Sequence, residues 1–200
     1  MKNKIIFASS NSGKISELQA LLDLANVELI PQAKFGISDA DETGLTFVEN
    51  ALLKARNACE QSGKPSIADD SGLVVRALDG APGIYSARYA GKRANDQANI
   101  EKLLMELENT SAENRQAHFH CTLVYLEHAE DPAPIICEGI WHGFILNSPT
   151  GENGFGYDPV FYDTHEKCSA AEMPLERKNK ISHRGQALRA FIERFKELVV

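Results

Sequence analysis

The chain has 200 residues, of which 43% are hydrophobic, and a formal net charge of -7. That length and apolar content suit one sizeable α/β domain over residues 1–200 with a real core, so disulfide staples are not needed. The acidic balance excludes a general nucleic-acid binder, which carries a basic face, but allows a nucleotide site, because a few local cations and a metal suffice to hold a triphosphate.

In chain order, Lys4 to Ser9 predicts a short buried strand, and the spacing of Ile15, Leu18, Leu21 and Leu22 predicts a helix after a polar turn. Val27 to Ile30 reads as a second strand, stopped by Pro31. An acidic loop from Asp39 to Gly44 follows. A helix is then predicted from near Thr46, where Thr46 and Glu49 have the spacing of a capping box and Ala51 to Ala58 supply a close-packing face. Ile67 and Ala68 lead into the polar run Asp69-Asp70-Ser71-Gly72, and Leu73 to Val75 resume a strand. Gly80 to Gly83 is a turn, and Ala98 to Leu107 reads as a helix. Two long strands, His118 to Leu126 and Ile135 to Ile145, precede a glycine-rich loop from Gly151 to Gly156. The last helix is predicted from Ser182 to Val199, with Leu188, Phe191 and Phe195 on its apolar face. The pattern as a whole predicts a mixed β-sheet flanked by helices.

Cys59, Cys121, Cys137 and Cys168 form no CxxC pair and read as reduced, mostly buried thiols rather than a zinc site. No stretch is apolar enough to span a membrane, and the first apolar run is too short for a signal peptide, so a cytoplasmic protein is expected. His118 and His120 alternate on one strand face and read as packed or surface side chains, as does Trp141 in the core.

Four polar clusters interrupt the apolar pattern. Ser9-Ser10-Asn11-Ser12-Gly13-Lys14 lies between a strand and a helix, where outward N–H groups and a lysine favour phosphate; it lacks the first glycine of a Walker A loop and reads equally as a polar N-cap. Asp69-Asp70-Ser71-Gly72 places two carboxylates beside apolar residues, an arrangement that calls for a cation such as magnesium or for an Asx turn. Asp41 and Glu42 form a solvated acidic run that gains interest only as a second source of metal ligands. Gly154-Phe155-Gly156-Tyr157-Asp158, with Lys178, His183 and Arg184, combines an aromatic between glycines with donors for carbonyl or phosphate oxygens.

Taken in this order, the segments Ser9 to Lys14, Ala68 to Leu73, Gly80 to Arg88, Phe155 to Pro159 and Ser182 to Leu188 resemble the inosine/xanthosine triphosphate pyrophosphatase family, in its bacterial dITP/XTP branch. The resemblance spans nearly the whole chain. It implies an elongated α/β fold of two lobes with a central substrate cleft, and a homodimer. It implies a magnesium-dependent enzyme that cleaves ITP, dITP and XTP to the monophosphate and pyrophosphate. By the same resemblance, Ser9, Ser10, Asn11, Ser12, Gly13 and Lys14 hold the triphosphate. Asp70 is the general base and, with Asp41 or Glu42, binds magnesium; Ser71 touches the substrate. Phe155 stacks on the base, Gly156, Tyr157 and Asp158 frame it, and Lys178, His183 and Arg184 contact it and nearby groups. Two positions depart from the family's usual pattern: Ser10 stands where glycine is common, and Asp41-Glu42 where two glutamates are.

The mechanism expected from these roles is in-line attack of water on the α-phosphorus, with Asp70 taking the proton. Donors aimed at the C6 carbonyl would reject ATP, whose C6 group is itself a donor. Three other readings remain at this level: a pyrophosphatase for other altered nucleotides, a nucleotide sensor without catalysis, and a structural or interaction module that binds no nucleotide.

Overall fold

The computed structural model describes residues 3–9, 11, 13–15, 18, 19 and 27–198. Its strands are β1 (Asn3–Phe7), β2 (Val27–Pro31), β3 (Ser66–Val75), β4 (Gln116–Leu126), β5 (Ile135–Ile145), β6 (Phe161–Asp163) and β7 (Cys168–Ser169). Residues 13–15, 18 and 19 are helical, and the α-helices with described bounds are α1 (Phe47–Ser62), α2 (Asp96–Glu106), α3 (Leu175–Ile181) and α4 (His183–Leu198). The strands form one seven-stranded sheet in the order β2-β1-β3-β4-β5-β6-β7. β1 pairs in parallel with β2 and β3, whereas β6 pairs antiparallel with β5 and β7, so the sheet is mixed as expected. Among the described residues no helix is long and apolar enough to cross a membrane.

The chain divides into two compact units. The first comprises Met1–Asp70, Cys121–Gly139 and Gln186–Val200. Its central strands β1, β3 and β4 are buried on both faces, and the alternation of strand side chains sorts them into two cores. Ile5, Phe7, Ile67, Leu123 and Tyr125 pack with Leu188, Phe191 and Phe195 of α4. Ile6, Ala8, Ala68, Val124 and Leu126 pack with Ala51, Ala55 and Ala58 of α1, whose small side chains bring the helix close to the sheet. The start of α1 is the predicted capping box. Glu49 N–H donates to Thr46 Oγ1 at 3.3 Å, and Thr46 N–H donates to Glu49 Oε2 at 2.8 Å. Residues 13–15, 18 and 19 are helical, as the sequence spacing predicts; Leu21, Leu22 and Val199 of the predicted helices lie outside the described residues.

The second unit comprises Ser71–His120 and Ile140–Gly185. Leu73, Ile100, Leu103, Phe119, Trp141, Tyr157, Val160 and Phe161 are among its buried core. α2 begins earlier than its apolar pattern indicates, because Asn95 Oδ1 accepts from Ala98 N–H at 2.9 Å and caps it. The far end of α2 is closed by buried Arg115, which donates to the carbonyls of Leu107 (2.6 Å), Thr110 (3.0 Å) and Leu146 (3.2 Å). Trp141 is core, as expected, and His118 packs against His120 and His142. Cys59, Cys121 and Cys137 are buried and Cys168 half-buried, all as free thiols.

Asp163 at the end of β6 is a buried acceptor. Its carboxylate takes Trp141 Nε1–H at 2.6 Å and the N–H groups of His165 and Glu166 at 2.7 and 3.0 Å. Burial alone raises its pKa, but the hydrogen bonds from Glu166, Trp141 and His165 outweigh that and hold the carboxyl below its ordinary value. A carboxyl whose pKa falls on folding adds stability above its unfolded pKa, and that stability is lost as pH drops through the folded value. Asp163→Asn turns an amide NH₂ toward these donors and is expected to cost about 2 kcal/mol near neutral pH. Urea denaturation of both proteins should show that difference shrinking as pH falls below about 5 and on through the lowered folded pKa; a difference independent of pH would refute the assignment.

Candidate active site

The polar run 69–72 does not interrupt β3 as the sequence suggests; Ser66–Val75 is one continuous strand. The reason is that both carboxylates find cations. Successive strand residues point to opposite faces, so Asp69 follows Ile67 toward the α4 side and Asp70 follows Ala68 toward α1. Lys14 Nζ lies 2.8 Å from Asp69 Oδ2, and Lys54 Nζ of α1 lies 2.7 Å from Asp70 Oδ1. Lys54 also reaches Glu42 Oε1 at 3.1 Å. Glu42 is thus the acid of the 41–42 pair that joins Asp70 around one cation.

Asp70 is 6% exposed, and no described donor reaches its second oxygen, Oδ2. Burial raises the carboxyl above its ordinary range, against the opposite pull of Lys54 and Lys14. Burial acts the other way on Lys54, but Asp70, Asp69 and Glu42 together keep its ammonium charged well into the alkaline range. The loop bearing Glu42 is tied to α1. Gly44 N–H donates to buried Asn50 Oδ1 at 2.8 Å, and Leu45 N–H to Glu49 Oε2 at 2.8 Å. A Cβ on Gly44 would meet Glu49 Cβ at 2.6 Å, so only glycine allows this approach.

The predicted phosphate loop is a capped helix start. Asn11 Oδ1 accepts from Lys14 N–H at 3.1 Å, Asn11 O accepts from Ile15 N–H at 3.1 Å, and Ser9 Oγ accepts from Asn11 N–H at 3.2 Å. The N-cap reading of Ser9 to Lys14 therefore holds. It is compatible with anion binding, because the N–H groups of a helix start favour negative charge. Gly13 and Lys14 are half-buried there, while Ser10 and Ser12 lie outside the described residues.

The second unit gathers the other predicted residues. Lys178 of α3 and Asp158 form a buried ion pair, Nζ to Oδ2 2.5 Å, each about one-twentieth exposed or less. Asp158 Oδ2 also accepts from Phe155 N–H at 2.9 Å, and a Cβ on Gly154 would collide with that carboxylate. The Phe155 ring has Lys178 Nζ 5.2 Å and Arg184 Cζ 5.6 Å from its centroid. Arg184 Nη2 donates to Ser71 Oγ at 3.1 Å. His183 stacks on Phe119 at 4.8 Å and 13°, and α4 starts there because Ser182 Oγ accepts from Gly185 N–H at 3.2 Å. Tyr157 sits in the core, its hydroxyl donating to Ser86 O at 2.8 Å.

Phe155, Asp158, Lys178, Arg184 and Ser71 are thus linked by direct contacts, with His183 beside Arg184. Glu42 and Asp70 meet through Lys54, and Lys14 meets Asp69. The sequence reading missed Lys54, although its position on the alanine face of α1, between Ala51 and Ala55, was the available signal: a charge in a buried stripe needs a partner. It also missed Asn50 and Asp96, whose roles depend on partners remote in sequence or on loop geometry.

Residues 5–194 match the Ham1 family. A dITP/XTP pyrophosphatase of Legionella pneumophila (strain Paris) is 58% identical over 185 residues, covering 92% of this chain and 94% of that one. Another from Idiomarina loihiensis is 54% identical over 196 residues, covering 96% and 97%. Among solved structures, a HAM1 protein from Coxiella burnetii matches with a TM-score of 0.92 at 49% identity, covering 98% of this chain and 99% of that one. The Staphylococcus aureus Ham1 protein matches with a TM-score of 0.88 at 40% identity, covering 98% and 100%.

Proposed function

The chain belongs to the Ham1 family, and from that premise we propose that it hydrolyses the deaminated purine nucleoside triphosphates dITP, ITP and XTP to the monophosphate and pyrophosphate. The activity removes abnormal purines from the nucleotide pool before they enter DNA or RNA. The observation that carries the site assignment is Asp70: a buried carboxylate with an unsatisfied oxygen, beside a lysine and a second acid.

Glu42 and Asp70 offer only oxygen donors, and the unsatisfied Asp70 Oδ2 is the kind of atom a hard cation satisfies, so the pair fits magnesium. Bound there, magnesium supplies charge neutralisation for the triphosphate and the departing pyrophosphate. The protein's own groups do the rest. Asp70 accepts a proton from water as the water oxygen bonds to the α-phosphorus and the bond from that phosphorus to the bridging oxygen breaks. Lys54 holds Asp70 and Glu42 in place, and Lys14, held by Asp69, stands at the helix start suited to phosphate, with Ser9, Asn11 and Gly13. Phe155 stacks on the base. Lys178 (paired with Asp158), His183 and Arg184 donate to carbonyl oxygens of a deaminated purine, and the amine of ATP meets donors instead. Ser71 keeps Arg184 in place, while Gly156, Tyr157 and Asp158 shape the loop. We further infer a cytoplasmic homodimer acting as one nucleoside triphosphate pyrophosphatase over residues 1–200; the four free thiols support a reducing compartment.

Pyrophosphate release from dITP, XTP, ITP, GTP and ATP, with magnesium and with EDTA, tests the reading. Rapid release from the first three, abolished by EDTA, is the expected result. Equal turnover of all five would remove the specificity assignment, and release from none would leave a binding protein.

A further inference from the structure

We propose that Asp96 is a positioning residue for the base-binding loop, acting through Gly156 to set the place of the Phe155 ring. The inference rests on the reading of Phe155 as the surface on which the purine stacks. Asp96 lies in the first turn of α2, and its Oδ2 accepts from Gly156 N–H at 2.7 Å, a contact made across 60 residues of sequence. Phe155 N–H, on the other side of the same residue, donates to Asp158 Oδ2 at 2.9 Å. The two planar peptide groups that flank the Phe155 α-carbon are therefore each pinned by a carboxylate, which leaves the ring only its side-chain torsions. The carboxylates come from different places: Asp158 belongs to the loop itself, whereas Asp96 belongs to a helix anchored in the core by Ile100 and Leu103.

Gly156 lies in the left-handed region, at φ 62°, which glycine adopts without steric cost and which presents its N–H to Asp96. A hydrogen bond to an ionised acceptor is stronger than a neutral one, so Asp96 is a firm anchor. The residue is exposed, so its removal separates loop position from folding. An acid in the first turn of a helix also interacts with the helix dipole, an effect small enough to leave the fold intact.

The test is steady-state kinetics on dITP with magnesium, together with thermal melting, for wild type, Asp96→Ala, Asp96→Asn and Phe155→Ala. Asp96→Ala is expected to raise KM by about tenfold, with kcat within about twofold, the signature of lost uniform binding. The melting temperature should stay close to wild type. Asp96→Asn should restore most of the KM, because the amide oxygen still accepts from Gly156. Phe155→Ala should raise KM at least as much. If Phe155→Ala leaves KM unchanged, the stacking role itself is wrong and the Asp96 proposal falls with it. If Phe155→Ala raises KM and Asp96→Ala does not, the stacking role stands and the Asp96 proposal is overturned. A lower melting temperature in Asp96→Ala, without rescue by asparagine, would mark a purely structural residue and overturn it as well.

Discussion

Asp70→Asn is expected to lower kcat for dITP by roughly a thousandfold, the loss typical of removing a general base. The substitution keeps the size of the side chain and leaves an amide oxygen where Lys54 donates to Oδ1. It replaces the unsatisfied Oδ2 with an NH₂, which neither accepts a proton from water nor ligates a cation. Folding should not suffer. The wild-type carboxylate is buried and its pKa is raised, so its charge costs stability in the folded state, and the neutral amide removes that cost. Lys54 loses its nearest carboxylate in return but keeps Glu42, so the melting temperature of Asp70→Asn is expected close to that of wild type. Magnesium binding, followed by titration calorimetry, should weaken. A variant that keeps kcat within about threefold of wild type would refute the role of Asp70.

Lys178→Met is expected to cost about 3–5 kcal/mol of stability, because it leaves the Asp158 carboxylate buried without its cation. Lys178 and Asp158 are 5% and 3% exposed, so water does not replace the lost partner. The Phe155 N–H remains on Asp158, but a neutral donor does not replace the ammonium. For a chain of this size that loss corresponds to a fall in melting temperature of roughly 6–20 °C. The double variant Lys178→Met, Asp158→Asn removes the orphaned charge while keeping an acceptor for Phe155. It should be more stable than Lys178→Met alone, and thermal or urea denaturation of wild type, Lys178→Met, Asp158→Asn and the double variant gives the coupling directly. Additive losses would show that the pair is not energetically joined. Both variants that carry Lys178→Met should also raise KM for dITP, since Lys178 Nζ faces the Phe155 ring.

Much of the fold is written locally. The capping box of Thr46 and Glu49 is legible because both partners lie within one turn, and α4 because its apolar residues recur at helical spacing. β5 spans the predicted residues, while β4 begins two residues before its predicted start. The short β6 and β7 and the seven-residue α3 were not legible, since such brief elements carry too little period to stand out. β3 was misread at 69–72 because a pair of aspartates looks like a turn until Lys14 and Lys54 are seen beside it.

The candidate site divides the same way. The sequence by itself determined which chemistry-bearing residues are present, their order along the chain, and the family they belong to, because motif spacing and residue type are properties of the chain. Only the tertiary structure decided that Glu42 rather than Asp41 reaches Lys54, that Lys178 is neutralised by Asp158, that Tyr157 belongs to the core, and that Asp96 holds Gly156. Several of those pairings join residues far apart in sequence; all depend on interactions of a few ångströms, on burial that removes competing water, and on backbone conformation, none of which local spacing records.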